Sequence, residues 1–297
     1  MSQSHSPPPS AVRHVPVFAT MHTAYAAVFS SLGLLVKAAA LPFLLSLVIA
    51  GLSLLAGDSN FLSVILMIVG FVPYTLFGVA WHRLTLLGPV QGAPEVFPAW
   101  RHRHWRFLAY AIIVTGVFYL LWLPVVISFS RLGQAGEITA AGAGTTLLLI
   151  LVITILVIYL TMRLAFVFPA VAVDESYTLR DSWAHTRGQV LRLFATLLVT
   201  ALPMMLLFAI ISGVLAGSLL ANPETVPPGA SQQEAMLAFL EANAGPLIVL
   251  QIVNAVISYI LIALMVSAIS VAFRIATGWV PAPTGGPPAP PPSSSTS

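Results

Sequence analysis

The chain has 297 residues, of which 58% are hydrophobic and only 7% charged, against about 25% charge in a soluble domain. No soluble fold hides that much apolar surface, so the medium has to be lipid. The net charge of +3 is strung along helix ends and forms no separate basic domain, which argues against a nucleic-acid partner, and the absence of cysteine excludes disulfides, thiolate nucleophiles and Cys-ligated metals.

Met1 to Ser10 is polar and Pro-rich, with no basic-then-apolar run ending in a small-residue cleavage site. A retained N-terminus is therefore expected. Residues 1–12 read as a disordered tail, 13–280 as a single transmembrane domain, and 281–297 as a second disordered tail. That second tail, PAPTGGPPAPPPSSSTS, cannot form a packed core and suits polyproline II. It offers a weak signal for a proline-groove protein and identifies no partner.

Six uncharged stretches are long enough to cross a hydrocarbon core, which takes about 20 helical residues. They lie between Lys37 and Asp58, Asp58 and Arg83, Arg106 and Arg131, Glu137 and Arg163, Arg192 and Glu224, and Glu241 and Arg274. The expected spans are 32–55, 60–87, 107–129, 144–168, 190–220 and 246–275. All six must be helices, because an open strand edge in lipid leaves backbone groups unpaired, so the fold class is all-α. Pro42, Pro73, Pro124 and Pro203 fall inside spans, and each removes a helix hydrogen bond.

Orientation follows from the basic residues. Eleven of the twelve Lys and Arg residues fall on one side of this topology, and only Arg131 on the other. The opposite loops carry Asp58, Glu137, Glu224, Glu234 and Glu241. By the positive-inside rule both termini are cytoplasmic. The external loop from Ala221 to Gly245 has capping-box spacing at Ser231 and Glu234, then an apolar stripe at Met236, Phe239 and Leu240. A short amphipathic helix on the outer surface is expected there.

The even-numbered spans end alike. Arg83 precedes Pro89 by six residues, Arg163 precedes Pro169 by six, and Arg274 precedes Pro281 by seven. The odd spans open on a basic residue: Lys37, Arg106 and Arg192. Ahead of each lies a segment suited to the membrane surface: PVFATMHTAYAAVFSSLG, EVFPAWRHRHW and SYTLRDSWAHTRGQV. These ends fit three parallel two-helix repeats, each preceded by an interfacial helix. The alternative is the general placement of Arg at cytoplasmic helix ends.

The segment from Asp174 to Arg192 carries the most specific pattern. Acidic residues stand where a helix would start and Arg187 and Arg192 where it would end, which suits the helix dipole. Two readings stand. Arg180 and Arg187 can hold phosphate headgroups through their planar forks, with Trp183 in the headgroup layer. Alternatively they pair with Asp174, Glu175 or Asp181, or serve only as an orientation signal.

The densest basic patch runs from Trp100 to Arg106 and contains Arg101, Arg103 and Arg106. With Arg83, Arg163, Arg180, Trp183, Arg187, Arg192 and Arg274 these are the candidates for anionic headgroups. His102 and His104 stand at i and i+2, which do not face each other on a helix, and only Glu95 lies nearby. No metal and no cofactor is expected. The spans have no deep ionisable group. Gln251 and Asn254 are their most polar interior residues, facing either a cavity or a neighbouring helix. No HExxH, GxSxG, Walker or dinucleotide motif is present.

The stretch RLAFVFPAVAVDESYTLRDSWAHTRGQVLRLFATLL, Arg163 to Leu198, resembles the repeat core of a bacterial family of six-span membrane proteins. That family includes the membrane domain fused to some glycerophosphodiester phosphodiesterases and related stand-alone proteins. The resemblance rests on Arg163, Pro169, Asp174, Leu179, Arg180, Ser182, Trp183, Thr186, Arg187, Gly188, Arg192 and Phe194. AWHRLTLLG at Ala80 to Gly88 fits more loosely, and Leu191 stands where the family favours an aromatic. The catalytic barrel of the fused enzymes has no counterpart in this sequence. The resemblance therefore implies a fold and a membrane location, not a reaction.

Three functions are compatible with these features. One is a non-enzymatic membrane protein that binds anionic lipid or a partner through its Arg/Trp-rich face. The second is a transporter of a small solute or lipid. The remotest is an enzyme acting on lipid phosphodiesters, which rests on analogy alone.

Overall fold

A computed structural model describes residues 14–55, 59–134, 140–220 and 242–281, together with Ser231, Glu234 and Ala238. Its ordered elements are all helical: α1 (Val17–Phe29), α2 (Leu32–Leu55), α3 (Asn60–Val69), α4 (Phe71–Gln91), α5 (His102–Gln134), α6 (Ala140–Leu164), α7 (Val167–Ala172), α8 (Leu179–His185), α9 (Val190–Leu220) and α10 (Ala244–Thr277). Among the described residues six stretches are long and apolar enough to cross a membrane: Leu32–Ser53, Asn60–Gln91, His102–Arg131, Gly142–Ala172, Val190–Val214 and Ala244–Thr277. The protein is an all-α polytopic membrane protein.

Where proline and glycine coincide, the spans break. Pro73 cannot donate to residue 69, and the second span divides there into α3 and α4 around Gly70. Pro42, Pro124 and Pro203 lie within unbroken helices. The even spans also end on breaks just past their Arg residues. Gly88 takes φ +77° five residues after Arg83, and Gly278 takes φ +70° four residues after Arg274. The fourth span breaks after Leu164, and Pro169 falls in the first turn of the separate α7, where its missing N–H costs least.

The core leans towards one end of the bundle. α3 buries only Leu66, whereas α4 buries ten residues between Pro73 and Leu86. α9 and α10 pack together, α1 lies across both, and α4 touches α2, α5, α7 and α10. Thr20, Ala24 and Val28 recur every four residues and form the buried face of α1. The Tyr25 hydroxyl donates to the Thr200 carbonyl at 2.9 Å. The segment read as lying flat before the first span is thus a docked helix. Before the third span no separate helix forms: residues 93–101 hold no helix, and α5 starts at His102.

Ser231 and Glu234 do form the expected cap, with the Glu234 carboxylate accepting from the Ser231 amide at 2.9 Å and hydroxyl at 2.8 Å. Met236, Phe239 and Leu240 of the expected external helix lie outside the described residues.

Candidate functional site

Long-range polar contacts bring the helix ends to one pole. The Val15 amide donates to the Gln189 side chain at 3.1 Å, and the Trp279 indole donates to the Glu175 carboxylate at 2.7 Å. The first and last described segments therefore meet the α7–α9 region at the same end of the bundle. All the candidate Arg residues belong to elements that begin or end there.

Asp174 organises one side of this pole. Its carboxylate pairs with Arg83 at 3.5 Å and with Arg103. Arg83 also donates to the Ala172 carbonyl at 3.1 Å, and Arg106 donates to the Glu175 carbonyl at 3.1 Å. Asp174 stands at φ +65°, in the left-handed region. It cannot begin a helix in that conformation, which corrects the expectation of one starting at Asp174 and Glu175. α8 starts instead at Leu179, capped by Thr178, whose hydroxyl and amide are held by the Asp181 carboxylate at 2.7 and 2.8 Å. These bonds keep the Asp181 carboxyl below its usual 3.8. Arg180 and Arg187 make no ion pair with any of the three acidic residues.

Between the end of α4, the segment 92–101 and the start of α5 lies a cleft of about 250 Å³. Arg83, Arg101, Arg103, His104 and Glu95 line it. Arg103 is buried, and Arg101 is exposed with a guanidinium that makes no hydrogen bond or ion pair among the described residues. His104 Nδ1 accepts the Arg101 amide at 2.9 Å and so caps the helix as a Glu at that position would. His102 is exposed while His104 is buried against Trp100, so the two rings occupy different environments.

α8 is bound to the end of α6 by a polar knot. The Ser182 and Thr186 hydroxyls both donate to the Arg163 carbonyl, at 2.8 and 3.2 Å. The Arg163 guanidinium is buried over the Trp183 ring, 4.2 Å from its centroid. Arg163, expected among the headgroup candidates, is thus turned inward. After α8 the chain turns at Gly188, φ +75°, and α9 begins. Arg163, Ser182, Trp183, Thr186 and Gly188 are thus parts of one device, and all five belong to the resemblance.

Residues 137–274 match the family model described as the membrane domain of glycerophosphoryl diester phosphodiesterase. The resemblance seen at Arg163 to Leu198 therefore holds over a much longer segment, from the loop before α6 to the end of α10. The first five helices lie outside the matched segment. No curated protein and no solved structure matches the chain. Within the matched segment Arg180, Arg187, Arg192 and Arg274 are exposed at the basic pole. Arg274 lines a second cleft, of about 380 Å³, with Thr23 and Trp279. Gln251 is exposed, and Asn254 accepts the Ser212 hydroxyl at 3.0 Å. Asn254 is therefore a helix-to-helix tie.

Sequence reasoning missed a seam between α4 and α10. The Trp81 indole donates to Ser267 at 2.9 Å, and His82 Nδ1 bonds Ser270 at 2.7 Å. Both rings are fully buried, so the span does hold an ionisable side chain away from solvent. The available signal was Trp81-His82 beside the exit Arg83, facing two serines one turn apart.

Proposed function

We propose that the protein is a non-enzymatic integral membrane protein that binds anionic lipid through its Arg/Trp-rich pole, with that pole and both termini on the cytoplasmic side of a bacterial inner membrane. The observation that carries this reading is the gathering of exposed Arg101, Arg180, Arg187, Arg192 and Arg274 at one end of the bundle, beside Trp105 and Trp183. Each basic side chain near an anionic bilayer surface contributes about 1 kcal/mol, and indole rings favour the headgroup layer.

The family name refers to a phosphodiesterase, but the matched model is its membrane domain. Hydrolysis is not carried over, because no paired catalytic carboxylates accompany the Arg cluster: Asp174, Glu175 and Asp181 are each committed to Arg, Trp or Thr partners.

The test is lipid retention. Wild type and an Arg180→Ala, Arg187→Ala, Arg192→Ala triple variant are purified in the same detergent and their bound lipid is quantified. The triple variant should lose anionic lipid selectively and keep zwitterionic lipid. Equal anionic lipid on both proteins would overturn the reading.

A further inference from the structure

The lipid-retention variants leave the α4–α5 cleft untouched, and that cleft is basic in its own right. Its lining carries three guanidinium groups, Arg83, Arg101 and Arg103, against one carboxylate, Glu95. His104 adds no charge while its Nδ1 accepts the Arg101 amide. Two of the three guanidiniums are held in place by Asp174, whose side chain is 58% exposed while that of Arg103 is 9% exposed. A water-facing carboxylate thus caps a buried cation. The same Asp174 is the one non-glycine residue at positive φ among those described, a conformation that costs about 1 kcal/mol or more. Among the described residues nothing covers the water-facing side of Asp174, so its carboxylate can leave without dismantling the core.

We propose that this cleft is a seat for one phosphomonoester group, and that Asp174 is the exchangeable occupant of Arg83 and Arg103. This rests on the anionic-lipid reading and names the group recognised. With Asp174 swung out, three Arg face Glu95 alone, leaving two uncompensated positive charges. A phosphomonoester carries about −1.5 to −2 at neutral pH, whereas a phosphodiester carries one negative charge and leaves one of the two excess cations unmatched. Arg supplies the planar fork that meets phosphate oxygens in pairs. Free Arg101 at the cleft rim makes the first contact, and Arg83 and Arg103 take over as Asp174 departs. The group can arrive on a lipid or on a soluble phosphate.

The full chain in detergent separates these sources by calorimetric titration with inorganic phosphate, a short-chain lipid phosphomonoester and a short-chain lipid phosphodiester. The monoester lipid should bind more tightly than the diester, and saturating inorganic phosphate should compete with it. If inorganic phosphate binds as tightly as the lipid monoester, the seat serves a soluble phosphate. Arg101→Gln should weaken monoester binding by about tenfold, the worth of one charge-assisted hydrogen bond. Asp174→Asn should tighten it by a similar factor. Asp174→Gly removes the carboxylate while suiting the positive φ, and guards against a folding defect in the Asn variant.

Weaker binding by both Asp174 variants would make the carboxylate a scaffold and overturn the proposal. So would diester binding as tight as monoester, or an Arg101→Gln variant equal to wild type. If wild type retains anionic lipid on purification yet the cleft variants change nothing, the cleft assignment fails and the broader lipid reading stands.

Discussion

The guanidinium of Arg163 lies over the indole of Trp183, 4.2 Å from the ring centroid, and this contact clamps α8 onto the end of α6. Arg163 is 5% exposed, so the ring replaces much of the water the charge has lost. A desolvated cation–π contact is worth about 2 kcal/mol. Trp183→Ala should therefore lower unfolding stability by at least about that amount, and Trp183→Phe by less. Thermal unfolding of the detergent-solubilised variants orders them, and a Trp183→Ala protein as stable as wild type would assign the clamp to Ser182 and Thr186 alone.

The α4–α10 seam has its own test. Trp81 is buried, and Ser267 accepts its indole N–H. Ser267→Ala leaves that donor unsatisfied, at a cost of about 1–3 kcal/mol. Adding Trp81→Phe removes the donor as well, so the second substitution should cost much less in the Ser267→Ala background than in wild type. A double-mutant cycle with no coupling would show that the bond contributes nothing.

Two glycines beside the cleft should behave differently. A Cβ on Gly88 meets nothing within 4 Å, but the residue stands at φ +77°. Gly88→Ala should therefore cost about 1–2 kcal/mol and leave the cleft intact. A Cβ on Gly92 would collide with the Arg83 carbonyl. Gly92→Ala must push the 92–101 segment away from α4. Protease sensitivity or Trp fluorescence near Trp100 should change in Gly92→Ala and stay constant in Gly88→Ala.

The cap of α8 predicts a pH dependence. Hydrogen bonds from the Thr178 side chain and then its backbone hold the Asp181 carboxyl below 3.8. Because the folded value is depressed, the stabilisation is fully present above 3.8 and is lost as pH falls through the lower folded value. The cap should stay closed throughout the neutral and mildly acidic range. Thr178→Ala removes the hydroxyl donor and should raise the Asp181 titration towards 3.8, read by carboxyl NMR. An unchanged titration would show that the cap does not hold the carboxylate.

The proposed orientation is open to labelling. Single cysteines at Ser59, Gly133 and Gln232 should react with an impermeant reagent from outside, and those at Ser10, Gln91 and Ser295 should not. The opposite pattern would place the basic pole outside the cell and end the positive-inside assignment.

The span positions were readable in advance because insertion into lipid depends on local apolar length. The fifth expected span, 190–220, coincides with α9, and the end expected at 87 meets the Gly88 break. The three basic exits were visible as Arg-to-Pro spacing, but only the sixth, at Arg274, is a clean αL-capped helix end. The Asp174–Arg192 segment was misread as one helix. Its charge order suits a helix dipole, yet the left-handed Asp174, held by distant Arg83 and Arg103, and the local Thr178–Asp181 cap start the helix five residues later.

The sequence by itself determined that the chain lies in lipid as six helices, with its basic residues at alternate helix ends, because burial in a bilayer is a property of each segment taken alone. The tertiary structure decided what those residues do. Asp174 meets Arg83 and Arg103 from 91 and 71 positions away, Arg163 turns inward onto Trp183 while the Arg101 guanidinium meets no partner among the described residues, and His82 disappears into the α4–α10 seam. Periodicity can place a cation at the end of a helix. Which acceptor reaches it depends on how distant segments pack, and that is the difference between an orientation signal and a built phosphate seat.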